Sequence, residues 1–338
     1  MKTLFTLHKN TLLLFALFAF GLPSFAQKPV DTLKRGTTNI ISYNDFIAVR
    51  IGASNNFNNF VFKDRAEDGK YTLAPNQQIK TVATIAYKFV EIDLGYTPNF
   101  LKYSKSKKSN GTTNYFNLGT RFYVGRLMQN LEYSKTTGYY IRKGKPSIAD
   151  EIEKPFTDMQ VIKVGGSTSY IFNCDFSFRA IYKQNEWQKH SAGSFVPTFN
   201  YYYTQLSYAR PGVNKIIDLV AGPGYFYNWV ICNEFLVSAG VYGGVGYNNT
   251  RTTYNDATPT DKVQGISYQF NYQGSIAYNS THFYTGAGLN VNSFFHKLQS
   301  GVNVTDRQNY FEFYVGYRFQ TTNRIIREIT KVGDEYGL

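Results

Sequence analysis

The sequence Tyr310-Phe-Glu-Phe-Tyr-Val-Gly-Tyr-Arg-Phe319 alternates between two kinds of side chain and is the strongest evidence for the fold. One face carries only apolar and aromatic residues, and the other carries Glu312, Tyr314, Gly316 and Arg318. Alternation with a period of two predicts a β-strand. The pattern recurs about a dozen times with an aromatic-rich apolar face, which favours strands that face lipid on one side and a polar lumen on the other.

The N-terminus has the organisation of a secretory signal peptide. Lys2 and Lys9 precede an apolar run at residues 11–20, and Ser24 and Ala26 are the small residues of a cleavage site. The run is too short for a transmembrane helix, which needs ~20 apolar residues. Residues 1–26 are therefore predicted to be a cleaved export signal, and the outer membrane of a Gram-negative bacterium is the predicted location.

The composition favours a membrane barrel over a secreted β-sandwich or β-helix. The chain has 29 Tyr and 28 Phe, while only 17% of its residues are charged. Soluble domains average ~25% charged residues, and a water-facing surface does not need so many aromatic side chains. The predicted fold class is all-β, a transmembrane antiparallel β-barrel.

We predict one barrel at residues 43–319, between a periplasmic lead-in at 27–42 and a periplasmic tail at 320–338. Both termini lie on one side, so the strand number is even, about twelve within a range of about ten to fourteen. The count pairs Asp158–Phe172 with Phe176–Lys183 and leaves Phe195–Tyr203 as an arm of an external loop or as a strand that needs a partner. Residues 55–70, 248–261 and 295–306 are predicted to be loops.

The formal net charge of +13 is spread over loops and alternate strand positions. In an exported protein, such charge suits outer-membrane lipid and lipopolysaccharide phosphates better than nucleic acid. The barrel-assembly machinery is the partner expected for insertion. Cys174 and Cys232 are predicted to lie in short turns at the same end, too far apart for a disulfide, and thus to be free thiols.

Strand parity places ten charged residues in the predicted lumen. Basic residues are in excess, so an open lumen would attract anions. The alternative is a lumen filled by side chains, in which the charges are paired. The predicted lumen residues are Arg50, Lys80, Lys88, Arg121, Lys163, Arg179 and Arg318, with Glu91, Asp93 and Glu312.

Several short motifs carry a family resemblance, among them Tyr71-Thr-Leu-Ala-Pro-Asn76 and Gly95-Tyr-Thr-Pro-Asn99. The most specific is the part from Gln184 to Phe195 of Phe178-Arg-Ala-Ile-Tyr-Lys-Gln-Asn-Glu-Trp-Gln-Lys-His-Ser-Ala-Gly-Ser194. From about Tyr43 to Phe319, the chain resembles an outer-membrane β-barrel family of Bacteroidetes-type bacteria known only as a domain of unknown function. The resemblance implies a barrel and no activity.

That specific stretch is also the candidate functional loop. It contains His190 beside Ser191, but not the His-x-Ser spacing of barrel phospholipases, and no residue that would orient the imidazole is evident. No histidines or cysteines have metal-ligand spacing, and no cofactor is expected. The candidate residues are Gln184, Asn185, Glu186, Trp187, Gln188, His190, Ser191 and Ser194.

Three functions are compatible with the sequence. The first is a passive or gated pore with a basic lumen. The second is a surface barrel that does not transport and binds lipopolysaccharide or a partner through the basic loops Lys102–Gly111 and Arg142–Pro155. The third, and least favoured, is a hydrolase that acts on lipid at the barrel rim. The protein is therefore predicted not to be an enzyme.

Overall fold

The computed structural model describes residues 39–43, 46–64, 69–75, 79–88, 90–96, 113–143, 156–182, 185–208, 212–254, 260–299 and 302–320. Within these ranges the chain forms seventeen strands. No helix that could cross a membrane occurs in them. The predicted signal peptide, most of the lead-in, the C-terminal tail and the loop Lys102–Gly111 lie outside the described residues, as do residues 144–155 of the second basic loop.

The strands, in chain order, vary widely in length. They are β1 Ile40–Ser42, β2 Phe46–Asp64, β3 Gly69–Ala74, β4 Lys80–Tyr87, β5 Val90–Tyr96, β6 Asn114–Val124, β7 Leu127–Lys143, β8 Phe156–Tyr170, β9 Glu186–Gln188, β10 Ala192–Phe195, β11 Thr198–Ser207, β12 Gly212–Gly222, β13 Gly224–Ile231, β14 Phe235–Tyr254, β15 Asp261–Asn279, β16 Phe283–Gln299 and β17 Val302–Gln320.

Twelve of these strands form a closed antiparallel ring. The order around it is β2, β4, β5, β6, β7, β8, β11, β12, β14, β15, β16 and β17, and β17 pairs again with β2. Each strand pairs with its neighbours, so the ring has no free edge. The predicted all-β fold and the count of twelve are confirmed.

Two wall strands are interrupted by proline. β12 and β13 both pair with β14, on either side of Pro223. β10 and β11 pair with β13 and β12, on either side of Val196 and Pro197. Because proline has no N–H to donate to a ladder, it is tolerated where pairing is locally broken. The wall therefore continues on both sides of these points without opening.

The predicted strand Phe176–Lys183 is wrong. In the structure, β8 ends at Tyr170, the following residues turn into the barrel, and the wall continues with β10 and β11. Phe176 and Phe178 are fully buried instead of facing lipid. Alternation shows that a segment has one apolar face, but it does not show whether that face contacts lipid or a core. The segment Phe195–Tyr203, predicted as a loop arm or as a strand that needs a partner, belongs to the wall.

Three predicted loops are drawn too wide, because β2, β14, β16 and β17 extend into them. The extensions have polar side chains on both faces, which hides the alternation. Phe60 and Phe62, in the first of these segments, point into the barrel and are buried.

The two faces of the ring differ as the last strand predicts. Phe311, Phe313 and Phe319 are about half exposed on the outer face, whereas Glu312 and Arg318 are buried on the inner face. Exposed aliphatic and aromatic side chains occur on the other wall strands too, among them Ile85, Leu118, Val245 and Ile276. Such an apolar exterior is what contact with lipid hydrocarbon requires.

Candidate functional site

A segment between β8 and β10 lies inside the barrel, at the end where β2 begins and β17 ends. We call residues 171–182 and 185–191 the plug. Phe176, Phe178 and Trp187 are buried in an inner apolar cluster that also contains the wall residue Phe226. The rings of Phe178 and Phe226 have centroids 4.9 Å apart. Among the described residues, the plug occupies the lumen at this end.

The plug leaves and rejoins the wall at neighbouring points. Asn173 Nδ2 donates to the Gly193 carbonyl at 2.8 Å, and the Asn173 amide donates to Ser194 Oγ at 3.0 Å. The plug is therefore an insertion at what would otherwise be a hairpin turn between β8 and β10. β1 adds a second strand to it by pairing with β9.

Buried polar side chains attach the plug to β13 and β14. Gln188 Oε1 accepts from Asn228 Nδ2 at 2.8 Å and from the Ser177 amide at 3.1 Å. Ser238 Oγ donates to Asn228 Oδ1 at 2.7 Å, and Ser177 Oγ donates to Glu186 Oε2 at 2.6 Å. These contacts satisfy polar groups away from water, so the plug has a defined position.

An ionic cluster attaches the plug to the opposite wall. It consists of Arg50 on β2, Glu91 and Asp93 on β5, Arg121 on β6 and Glu312 on β17. Arg50 Nη2 lies 3.6 Å from Asp93 and 3.8 Å from Glu312. Arg121 Nη1 contacts Glu91 and lies 3.2 Å from Asp93.

Tyr182 of the plug connects this cluster to the far side of the barrel. Its carbonyl accepts from Arg50 Nη1 at 3.1 Å, and its ring centroid is 4.6 Å from the guanidinium of Arg121. Its hydroxyl donates to Gln273 Oε1 on β15. Tyr182 therefore spans the lumen.

Nearer the other end, a second ion pair crosses the lumen. Lys163 Nζ on β8 lies 3.1 Å from Asp306 Oδ2 on β17, and these strands stand on opposite sides of the ring. Tyr202 and Phe294 cross it at the same level, with ring centroids 5.4 Å apart, and Lys163 lies over both rings. Opposite walls are therefore joined through side chains.

A second apolar cluster lies inside the barrel, on the side of this layer that is away from the plug. β3 pairs with both β2 and β7 there, past the ends of the shorter β4, β5 and β6. The rings of Phe60 and Tyr139 have centroids 6.2 Å apart. Its buried members are Phe60, Phe62, Leu73, Tyr139, Met159, Val161, Leu206, Ile216 and Val304.

A polar cavity of about 270 Å³, which we call the chamber, lies between the plug and the crossing layer. Arg50, Arg121 and Tyr182 belong to its lining, so the ionic cluster faces it directly. The remaining lining is mostly neutral and polar and includes Ser54, Asn117, Asn200, Gln269, Asn290 and Tyr310.

The other predicted lumen residues have different positions. Lys80 lies inside, over the ring of Tyr115. Arg179 lies on the plug, where it pairs with Glu186 at 3.2 Å. Arg318 is buried at the plug end and donates to Asn279 Oδ1 at 2.6 Å.

Lys88 does not lie in the lumen wall. β4 ends at Tyr87, and Lys88 takes a positive φ of 46° in the turn that follows. Its carbonyl accepts a hydrogen bond from Asn185 of the plug at 2.6 Å. Strand parity stops at the turn, so it could not place this side chain.

The prediction missed three inward carboxylates, Glu132, Asp218 and Asp306. Asp218 Oδ1 lies 3.5 Å from His296 Nδ1 and accepts from Ser267 Oγ at 2.9 Å. With these residues, the described lumen has no excess of basic side chains. Asp306 could have been found by extending the parity of Glu312 backwards along the chain.

The candidate functional loop is largely plug. Asn185, Glu186, Trp187 and Gln188 are buried, whereas Gln184 lies outside the described residues. His190 is exposed, and Ser191 Oγ accepts the Val230 amide at 2.9 Å. Ser194 holds the start of the plug, and Trp187 Nε1 donates to the Asn233 carbonyl at 2.8 Å. Cys174 and Cys232 are free, as predicted.

Several solved outer-membrane proteins are similar in fold. The outer-membrane protease OmpT of Escherichia coli is 8% identical, covers 84% of this chain and 100% of its own, and has a TM-score of 0.36. The translocator domain of the autotransporter NalP of Neisseria meningitidis is 9% identical, with 80% and 89% coverage and a TM-score of 0.36. The toluene transporter TodX of P. putida is 7% identical, with 87% and 93% coverage and a TM-score of 0.30. Because these TM-scores are low, the assignment of the fold rests on the strand pairing described above and not on these similarities.

The sequence comparisons concern the family. None of the curated proteins matches the chain. The bacterial group named in the resemblance stays a prediction. The model of the family described as Domain of unknown function (DUF4421) matches residues 34–319, and the chain therefore belongs to this family.

Proposed function

We propose that this protein is a gated conduit in the outer membrane and that the structure is its closed state. The observation that carries the proposal is the chamber, which lies in line with the barrel axis between the plug and the crossing layer of Lys163, Asp306, Tyr202 and Phe294. A barrel whose lumen served only as a core would not need a polar cavity between two closures.

The plug has the features of a gate. It is not part of the ring, because the wall pairs completely without it. It is held by ion pairs and hydrogen bonds to opposite walls, which can exchange for water when the segment moves. A transition of one segment between order and disorder is a recurrent way in which proteins switch between two states.

A permanently open pore with a basic lumen is not supported. Arg50, Arg121, Lys163 and Arg179 all have carboxylate partners within 4.0 Å. A paired charge leaves little net field to select anions. The role we propose is transport without catalysis, with outer-membrane lipid and lipopolysaccharide around the barrel and the barrel-assembly machinery as the partner for insertion.

Single-channel recording of the refolded protein in planar bilayers tests the proposal. We expect the unmodified chain to be silent or to open rarely and briefly. A variant in which an Asn-Gly turn replaces residues 174–191, combined with Phe60→Ala and Phe294→Ala, is expected to give sustained conductance steps. The hairpin turn is feasible because the plug ends are adjacent.

The matched control is the single variant Phe313→Ala, which truncates a phenylalanine on the outer face. It should stay silent. Heat-modifiable gel migration shows which variants have inserted. A combined variant that inserts and stays silent would contradict the conduit. Sustained conductance of the unmodified chain would contradict the closed state.

A further inference from the structure

The wall of the chamber formed by β15 and β16 is a row of amide side chains. Gln269 Nε2 donates to Asn292 Oδ1 at 2.8 Å, and Asn271 Nδ2 donates to Asn290 Oδ1 at 2.8 Å. Each amide has two donor hydrogens and an acceptor oxygen, so these bonds use only part of its capacity. The row orients the amides and leaves hydrogen-bonding groups toward the cavity.

Five chamber-lining atoms have no hydrogen-bond partner among the described protein atoms. They are Ser54 Oγ, Glu132 Oε1, Asn200 Nδ2, Gln269 Oε1 and Glu312 Oε1. All of their residues except the partly buried Glu132 are more than nine-tenths buried. A buried polar group without a partner costs free energy comparable to a lost hydrogen bond. These atoms include both a donor and an acceptor, so the complementary molecule must accept and donate. A hydroxyl group does both.

Glycines enlarge the chamber on opposite walls. A Cβ at Gly288 would lie 3.8 Å from its nearest neighbour, and one at Gly119 would lie 3.7 Å away. Both distances are ordinary van der Waals contacts, so packing does not require glycine there. Glycine weakens a strand, and its presence is explained if the space serves a ligand.

The chamber is lined by charges of both signs, two guanidinium groups and three carboxylates, and this mixture favours a neutral ligand. The guanidinium groups of Arg50 and Arg121 are paired with Asp93, and Glu312 pairs with Arg50. Glu132 is the third carboxylate. An anion would approach these carboxylates, and a cation would approach the guanidinium groups. The volume of about 270 Å³ is near the lower limit of ligand pockets, which is roughly 300 Å³, and suits one small molecule.

From these observations we infer that the chamber binds a neutral polyhydroxylated solute of monosaccharide size. The inference deepens the proposed conduit by naming the class of solute it admits. Failure of this inference can be distinguished from failure of the conduit, because binding is measured without a gradient and conductance is measured without the solute.

Equilibrium dialysis of the refolded protein in detergent tests the inference with three probes of one skeleton. They are D-glucose, the anion D-gluconate and the cation D-glucosamine. We expect saturable binding of about one glucose per barrel and at least tenfold weaker binding of both charged probes. The measurement is repeated on Gln188→Leu, a variant expected to loosen the plug while Tyr182 stays in the lining, because entry through a closed barrel is slow.

Glycine substitutions then locate the site. Gly288→Val should weaken glucose binding at least tenfold by filling the chamber. Gly243→Val is the matched control, because Gly243 has open space around it on the strand face that carries the exposed Val241 and Val245, and it should bind normally. Absence of saturable binding in both forms of the protein would mean a chamber for water only. Tighter binding of a charged probe, or equal binding by both glycine variants, would also overturn the inference.

Discussion

The ion pair between Lys163 and Asp306 shows how single residues hold this lumen. Both side chains are almost fully buried, and the pair joins strands on opposite sides of the ring. Burial of each charge costs several kcal/mol, which the pair offsets only while both partners are present. The partners are separated by 143 positions in the chain. Parity alone could place Lys163 inside, but it could not identify its partner.

We predict that Lys163→Met destabilises the folded barrel by about 3–5 kcal/mol, because Asp306 is left buried and unpaired. The double variant Lys163→Met/Asp306→Asn should recover most of the loss. Urea titration of the heat-modifiable band measures the free energy of unfolding. Lys215→Met is the control, because Lys215 is exposed. A double variant as unstable as the single one would contradict this account.

At the scale of elements, the plug is the main departure from a simple barrel. Its residues from Phe176 to Tyr182 alternate as a wall strand would, so periodicity could not separate it from the wall. The plug differs from a wall strand in its hydrogen-bond partners. Gln188, Asn228 and Ser177 form hydrogen bonds with one another inside the lumen. The chain places these residues far apart, and only the closed ring brings them together.

We predict that Gln188→Leu loosens the plug while the ring stays intact. The change leaves Asn228 Nδ2 with one partner and the Ser177 amide without one, at a cost of about 1–3 kcal/mol for each unpaired group. Hydrogen exchange should accelerate at least tenfold for residues 176–182 and 186–188, with wall strands unchanged. Gln264→Leu, on the exposed side of β15, is the control. Equal acceleration in plug and wall would show that the plug is not an independent element.

At the scale of the whole molecule, the ring separates an apolar exterior from a polar interior. This inversion relative to a soluble protein follows from its solvent, since lipid cannot satisfy polar groups. A charge on the outer face should therefore oppose insertion in a depth-dependent way.

We predict that Phe313→Arg reduces the stability of the inserted barrel by about 2–4 kcal/mol, the cost of Arg near the middle of a bilayer. Gln264→Arg, near the start of β15, should cost about 0–1 kcal/mol because strand ends lie at the interface. Insertion into lipid vesicles followed by urea titration measures both. Equal effects of the two substitutions would contradict a lipid-facing belt that contains Phe313.

The alternation of residues along the chain was sufficient to predict an all-β barrel of about twelve strands and to place Arg50, Arg121, Lys163 and Glu312 inside it. These properties are local, because each residue's face follows from the period of a strand. The plug, the ion pairs across the lumen and the chamber depend on contacts between distant residues such as Arg50 and Tyr182. Such contacts exist only after the ring has closed, so the tertiary structure alone decides whether the lumen is open or filled.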